Sequence, residues 1–261
     1  MLSVGIGALV SGSLSPVFSV LLACLSAGLI TGAANAVNDY FDVDIDRVNK
    51  PYRPIPSGAV SCRVALFYSL VLFGLGVLLS VFIGTAAFLI ALSASLLLVA
   101  YSAWLKRTVL WGNLTVSVLG GLAFIYGGVA VGRLRLALIP AVFAFFFHLG
   151  REILKDIEDV AGDRAGRANT FPIRFGLNPA RLLITAVFAV LILLTLVPYV
   201  LGIFGRAYLW IVIPGVDAFL LAVLFSLWKD ASRRNLARLS VWLKVDMLVG
   251  LTAIFAGVWW S

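Results

Sequence analysis

Apolar residues run along this chain in long blocks, broken by short connectors where proline, glycine and charged residues gather. The blocks predict helices near residues 1–11, 17–46, 61–82, 85–105, 109–131, 135–156, 179–201, 207–228 and 238–260. The connectors are Ser11 to Pro16, the segment Arg47 to Gly58 with its three prolines, Gly84, Lys106 to Thr108, Gly132 to Arg135, Asp163 to Pro179, Gly202 to Arg206 and Lys229 to Arg238. A helix needs roughly 20 apolar residues to cross about 30 Å of hydrocarbon, and every block but the first supplies them. Lipid satisfies no backbone hydrogen bond, so open sheets cannot serve. The expected fold is all-α: a polytopic membrane helix bundle of about nine transmembrane helices, built as a single transmembrane domain over residues 1–261. The first block departs from the pattern, because Met1 already stands inside an apolar run that reaches Ser11 at about half a crossing's length. It reads as a truncated first crossing or a short, partly buried helix. A signal peptide would carry a positively charged start, which is missing.

Composition leaves little room for a soluble fold. With 62% hydrophobic and 12% charged residues, the chain has too little polar surface to coat a globule in water. The two cysteines, Cys24 and Cys62, fit no pairing or metal pattern and read as packing residues. The net charge of +8 could suggest nucleic acid, but the basic residues are strung along membrane-proximal connectors without a nucleic-acid module. No nucleic-acid partner is expected; the bilayer and its anionic headgroups are. Seventeen of the 20 Lys and Arg residues lie on or beside alternate connectors, the intervening ones holding only Arg133, Arg135 and Arg206. The positive-inside rule then makes this a multi-pass cell-membrane protein with its N-terminus inside and its C-terminus outside.

The 12 acidic residues are distributed unevenly: Asp39, Asp42, Asp44 and Asp46 form one group, and Glu152, Asp156, Glu158, Asp159 and Asp163 another. Asp217, Asp230 and Asp246 are scattered. Carboxylates near hydrocarbon cost several kcal/mol unless paired or bound to cations, so two concentrations at helix ends call for a purpose. Asp39, Asp42 and Asp46 stand at i, i+3 and i+7, one helix face, and Asn38, Asp42 and Asp46 run along an adjacent i, i+4, i+8 line. Asp156, Asp159 and Asp163 repeat the first spacing, each 117 residues after its counterpart. Both groups fall on the cytoplasmic side, and two like-charged faces can share a space only with divalent cations between them. Oxygen ligands without His or Cys point to Mg2+, which takes carboxylates together with substrate phosphates.

Complementary charge follows each acidic group. Arg47, Lys50 and Arg53 lie in RVNKPYRPIPSG, which its prolines stiffen and Gly58 releases; Arg164, Arg167 and Arg174 follow the second group, and Lys106 with Arg107 ends the helix between them. Metal on the carboxylates and cations around the remaining oxygens would make a diphosphate a good leaving group. Lys50, Arg53, Lys106, Arg107 and Arg174 are the candidate substrate-binding cations.

The segments NDYFDVDIDRVNKPYRPIPSG and KDIEDVAGD resemble the two signature segments of the UbiA-type intramembrane prenyltransferases, nine-helix proteins that transfer an isoprenyl chain from its diphosphate to an acceptor. The resemblance covers nearly the whole chain, lacking only the Arg-Pro-x-Asn segment that relatives carry before the first crossing. REILKDIEDVAGDRAGRANTFPIRFG and NKPYRPIPSG look most like the archaeal digeranylgeranylglyceryl phosphate synthases, which implies ether-lipid synthesis. The resemblance carries the family's Asn/Asp triad to Asn38, Asp42 and Asp46, its second carboxylate set to Asp156, Asp159 and Asp163, and its YSxxLK segment to Tyr101, Ser102, Leu105 and Lys106. It implies a prenyl diphosphate donor and a lipid acceptor, with an aromatic acceptor as the alternative and an ion-coupled transporter as a more distant one.

The expected chemistry is ionisation of the allylic diphosphate followed by attack of the acceptor hydroxyl on the freed carbon. Asn38, Asp42, Asp46, Asp159, Asp163 and Tyr101 are the expected catalytic residues, with Asp39, Asp42, Asp46, Asp156, Asp159 and Asp163 as the metal ligands. Ring faces stabilise cations, which brings in Tyr101, Phe124 and Tyr126 as candidates, although packing is the commoner role of an aromatic in a membrane helix. Asn113, in GNLTVSVLGG, suits close helix packing or contact with the diphosphate. The single histidine, His148, reads as structural. Arg151 and Lys155 are positioned for the acceptor's phosphate.

Overall fold

The computed structural model describes residues 1–259, the side chains of Val48, Asn49 and Ala165 excepted. The described residues form helices and no strand. In chain order these are α1 (Leu2–Val10), α2 (Val17–Phe41), α3 (Val43–Asn49), α4 (Cys62–Val81), α5 (Thr85–Ala103), a 3₁₀ turn at Leu105–Arg107, α6 (Trp111–Ala130), α7 (Leu134–Glu158), α8 (Val160–Ala165), α9 (Phe171–Phe175), α10 (Leu177–Val200), α11 (Arg206–Ile211), a π-helical turn at Val212–Asp217, α12 (Ala218–Lys229) and α13 (Arg233–Trp259).

Eight segments are long and apolar enough to cross a membrane: α2, α4, α5, α6, α7, α10, the run Arg206–Lys229, and α13. The ninth expected crossing is α1, which spans only 9 residues. It is nonetheless packed into the protein, with Val4, Ala8 and Val10 fully buried.

Several expected boundaries move. The helix expected over 17–46 is two, since α2 ends at Phe41 and α3 starts at Val43. The helix expected over 135–156 runs on to Glu158. The last helix starts at Arg233, inside the expected connector, and the end expected for it, Trp260, lies outside the described residues. The cause is local: the Ser232 backbone N–H and hydroxyl both donate to the Asp230 carboxylate, at 2.8 and 2.9 Å, and the Asn235 amide donates to the Asp230 carbonyl at 2.6 Å. These bonds satisfy the connector in three residues and let the helix begin early. Pro214 and Gly215 explain the π turn, because proline brings no N–H to the helical ladder and the hydrogen-bonded rings widen around the gap.

The chain divides into two compact units, residues 1–106 with 122–134, and residues 107–121 with 135–261. In the first, α2 packs along α4 and α5, and α1 lies against α2 and the second half of α6. Apolar burial drives little association between helices in lipid, so close approach and interhelical hydrogen bonds must hold them. Both are present. A Cβ on Gly127 would sit 2.0 Å from the Val4 carbonyl oxygen, so only glycine lets α6 touch α1 there. The Tyr126 hydroxyl donates to Ser26 Oγ at 2.9 Å, and Ser26 donates in turn to the Gly76 carbonyl at 2.7 Å, which ties α6, α2 and α4 together. Each such bond is worth about 0.6 kcal/mol in a membrane.

The second unit holds the first half of α6 with α7 and α10 to α13. A Cβ on Gly120 would meet the His148 ring at 2.3 Å, and one on Gly150 the Phe188 ring at 2.2 Å. α6 thereby lies against α7, and α7 against α10.

Candidate active site

The first acidic group occupies the junction of α2 and α3. Asp42 is the residue between them, with φ −96° and ψ 2°, outside helical values. Hydrogen bonds of helical spacing lie on either side of it, the Asp42 N–H donating to the Asn38 carbonyl at 3.0 Å and the Asp46 N–H to the Asp42 carbonyl at 2.8 Å. The bend keeps the i, i+4 relation that the sequence suggested while turning the chain at its middle aspartate.

Cations meet these carboxylates from two directions. Lys106, in the 3₁₀ turn after α5, donates through Nζ to Asp42 Oδ1 at 2.5 Å and to Asn38 Oδ1 at 2.9 Å. Asn38 passes its own amide to Asp42 Oδ2 at 3.1 Å. Arg53 returns from the loop, donating to Asp46 at 2.5 Å and Asp39 at 2.9 Å. The loop is wound to deliver it: the Arg53 N–H bonds the Lys50 carbonyl, the Ser57 N–H bonds the Arg53 carbonyl, Ile55 is buried, and Gly58 takes φ +81° where the chain turns out. Burial alone would lower the Arg53 pKa, but the hydrogen bond and charge of Asp46 with the charges of Asp39 and Asp42 raise it above the ordinary value. The row of three aspartates is thus divided, Asp42 going to Lys106 and its two neighbours to Arg53. Lys50 is exposed beside them, and Arg47 pairs with Asp44 at the surface at 2.9 Å. Tyr101 stands half-buried in the last turn of α5.

The second group occupies the junction of α7 and α8, bent at the equivalent residue. Asp159 has φ −95° and ψ 5°, and the Asp163 N–H donates to the Asp159 carbonyl at 2.9 Å. Its partners differ in kind. Asn113, buried in the first turn of α6, donates its amide to Asp156 Oδ2 at 2.8 Å. Asp156, Asp159 and Asp163 have no ion pair among the described residues. Burial, reinforced by the charge of Asp159, holds the Asp163 carboxyl above the usual carboxylate range. One turn before Asp156, Arg151 pairs with the buried Glu152 at 2.7 Å, so the guanidinium expected to serve the acceptor's phosphate is already matched by a carboxylate. Lys155 and Arg174 are exposed, the latter with its guanidinium 5.4 Å above the Phe175 ring. Arg107 is exposed as well, and its carbonyl accepts the Asn169 N–H at 2.8 Å, fixing the 165–176 segment to the start of the unit.

Phe124 and Tyr126 are buried in the first unit, the Tyr126 hydroxyl donating to Ser26 Oγ. Glu152 and the Asn113–Asp156 bond had no spacing signal, since the two bonded residues lie 43 apart in sequence. No group of three or more His, Cys, Asp or Glu among the described residues converges closely enough to hold a metal by itself. Each junction offers carboxylate and amide oxygen, and those of the first are already drawn toward cations. Such a set fits magnesium in its usual manner, with one or two carboxylates and the rest of the shell from phosphate and water.

Comparison with known proteins places this fold. The model of the UbiA prenyltransferase family matches residues 1–245, and the chain belongs to that family. It is 40% identical over 257 residues to digeranylgeranylglyceryl phosphate synthase of Methanothermobacter thermautotrophicus, covering 98% of this chain and 90% of that protein. A solved structure from work on digeranylgeranylglyceryl phosphate synthase in membranes superposes with a TM-score of 0.85 at 32% identity, covering 98% of this chain and 92% of the other. A UbiA homologue from Archaeoglobus fulgidus bound to GPP and Mg2+ superposes with a TM-score of 0.72 at 21% identity over 97% and 95% of the two chains, which shows the shared fold. The chain is a multi-pass membrane protein.

Proposed function

We propose that this protein moves a geranylgeranyl group from its diphosphate to the hydroxyl of geranylgeranylglyceryl phosphate, with magnesium as cofactor and the reacting groups on the cytoplasmic side. The observation that carries the reading is the 40% identity, over nearly the whole of both chains, to the synthase of Methanothermobacter thermautotrophicus. The Archaeoglobus homologue bound to GPP and Mg2+ supports the donor class and the metal.

Magnesium, when bound, neutralises diphosphate charge and makes it a better leaving group. Asp39, Asp42 and Asp46 of the first junction and Asp156, Asp159 and Asp163 of the second are the carboxylates that would hold it. Asn38 and Asn113 orient Asp42 and Asp156 through their amides. Arg53 and Lys106 bind phosphate oxygens from their places against the first acids, and Lys50, Arg107 and Arg174 add charge from the flanking segments. The donor's C1–O bond breaks with its electron pair leaving on the diphosphate. The acceptor's hydroxyl oxygen then bonds to C1 and gives up its proton to the released diphosphate. Tyr101 lends its ring to the cationic carbon, and Arg151 with Lys155 receives the acceptor's phosphate.

The test incubates membranes carrying the protein with labelled geranylgeranyl diphosphate, Mg2+ and either geranylgeranylglyceryl phosphate or an aromatic acceptor. Label is expected in the diether phosphate alone. Transfer to the aromatic ring, or diphosphate release that survives Asp42→Ala, would overturn the assignment.

A further inference from the structure

Two acids of the second unit take no part in this chemistry. Asp246 stands midway along α13, thirteen residues from either end, and is 2% exposed. Asp217 closes the π turn near the middle of the crossing Arg206–Lys229 and is 5% exposed. The packing brings these two segments together: a Cβ on Gly215 would meet Val249 Cγ1 at 2.6 Å, and one on Gly250 would touch Val216 at 3.8 Å. Asp217 and Asp246 therefore stand on segments that pack against each other, each within a turn of those contacts.

Donors around the pair are scarce. Thr195 of α10 presents its hydroxyl to both oxygens of Asp217, at 3.0 and 3.2 Å, while also lying 2.6 Å from the Ile192 carbonyl. Tyr208 is fully buried nearby, but its single O–H is spent on the Thr195 carbonyl at 2.7 Å. Neither oxygen of Asp246 has a hydrogen-bond partner. No Lys or Arg among the described residues forms an ion pair with either acid. Four carboxylate oxygens at the depth of the hydrocarbon therefore share one hydroxyl donor, an arrangement that a membrane protein keeps only where something positive joins it.

We propose that Asp217 and Asp246, with the Thr195 hydroxyl, form a buried sodium site that ties α10, the π turn and α13 together. A proton bridges two oxygens at most, whereas a hard monovalent cation takes both oxygens of Asp246 together with those of Asp217. Oxygen-only donors select a hard ion. The π turn is suited to the task, since the proline and glycine that widen it also let Asp217 and α13 approach.

The test measures the thermal midpoint of the purified protein at pH 8 as sodium chloride replaces choline chloride, with magnesium held constant. Sodium is expected to raise Tm by about 3–6 °C in a saturating manner. Potassium is expected to do much less, and Asp246→Asn, which keeps the shape but removes the charge, to abolish the response. A wild-type Tm indifferent to sodium overturns the site and leaves the two carboxyls as neutral acids or bound to water. An Asp246→Asn variant that responds like the wild type overturns it too. Should that variant not fold, retention of radioactive sodium by the wild-type protein decides: about one ion per chain upholds the site, and none retained removes it. Prenyl transfer is not read in this experiment, so its outcome is independent of the proposed reaction.

Discussion

The α2–α3 and α7–α8 junctions are the same backbone device carrying opposite electrostatics. Asp42 and Asp159, 117 residues apart, bend the chain with nearly identical dihedral angles, and each receives the N–H of the aspartate four residues on. In the first junction, Lys106 and Arg53 lie directly on the carboxylates. In the second, Asp156 takes a neutral amide, and burial pushes Asp163 toward holding its proton. The position matching Asn38 is Lys155, which faces outward. A repeated geometry has thus been given a self-balanced copy and one whose charge awaits a cation. The second copy should therefore gain more from magnesium than the first.

Removing the metal tests this most severely. Chelation with EDTA should abolish prenyl transfer and magnesium should restore it, with helical circular dichroism unchanged throughout. Activity that survives chelation would refute a shared role for both junctions. Next in size, Asp159→Asn should lower kcat/KM by about 10²–10³-fold, the range for losing one charge-stabilising group at a reacting centre. Its Tm should stay the same or rise, because a repelling charge is removed. The reverse balance is expected at the first junction. Lys106→Met should destabilise the protein by about 1–3 kcal/mol, since it leaves Asp42 charged and partly buried, and the double variant with Asp42→Asn should regain most of that stability. If both variants lose the same stability, or the pair does not recover, the junctions do not differ as described.

A smaller effect belongs to the amides. Asn113→Ala should cost about 1 kcal/mol by leaving Asp156 without its donor, whereas Asn38→Ala should cost less because Lys106 still serves Asp42. Thermal denaturation of the two variants side by side measures the difference. Smallest of all, Arg174→Gln should change KM for the donor by less than about tenfold, because its guanidinium is exposed and held only by an aromatic face.

Much of this protein could be read from the chain alone, for one reason: transferring a residue into hydrocarbon is a property of that residue, so apolar blocks mark the crossings wherever they pack. The eight long crossings, the 117-residue repeat and the basic segments that follow each acid row are all properties of local sequence. Tertiary contacts decided the rest. Nothing in NDYFDVDID signals a bend at Asp42, since no proline or glycine interrupts it. Arg53 and Lys106 could be proposed as phosphate ligands but not assigned to separate aspartates, because their reach depends on how the loop and the 3₁₀ turn fold back. Asn113 met Asp156, and Asp217 came near Asp246, only when helices distant in sequence packed side by side. Composition sets which segments enter the membrane; which polar groups meet there follows from how closely small residues let the helices approach.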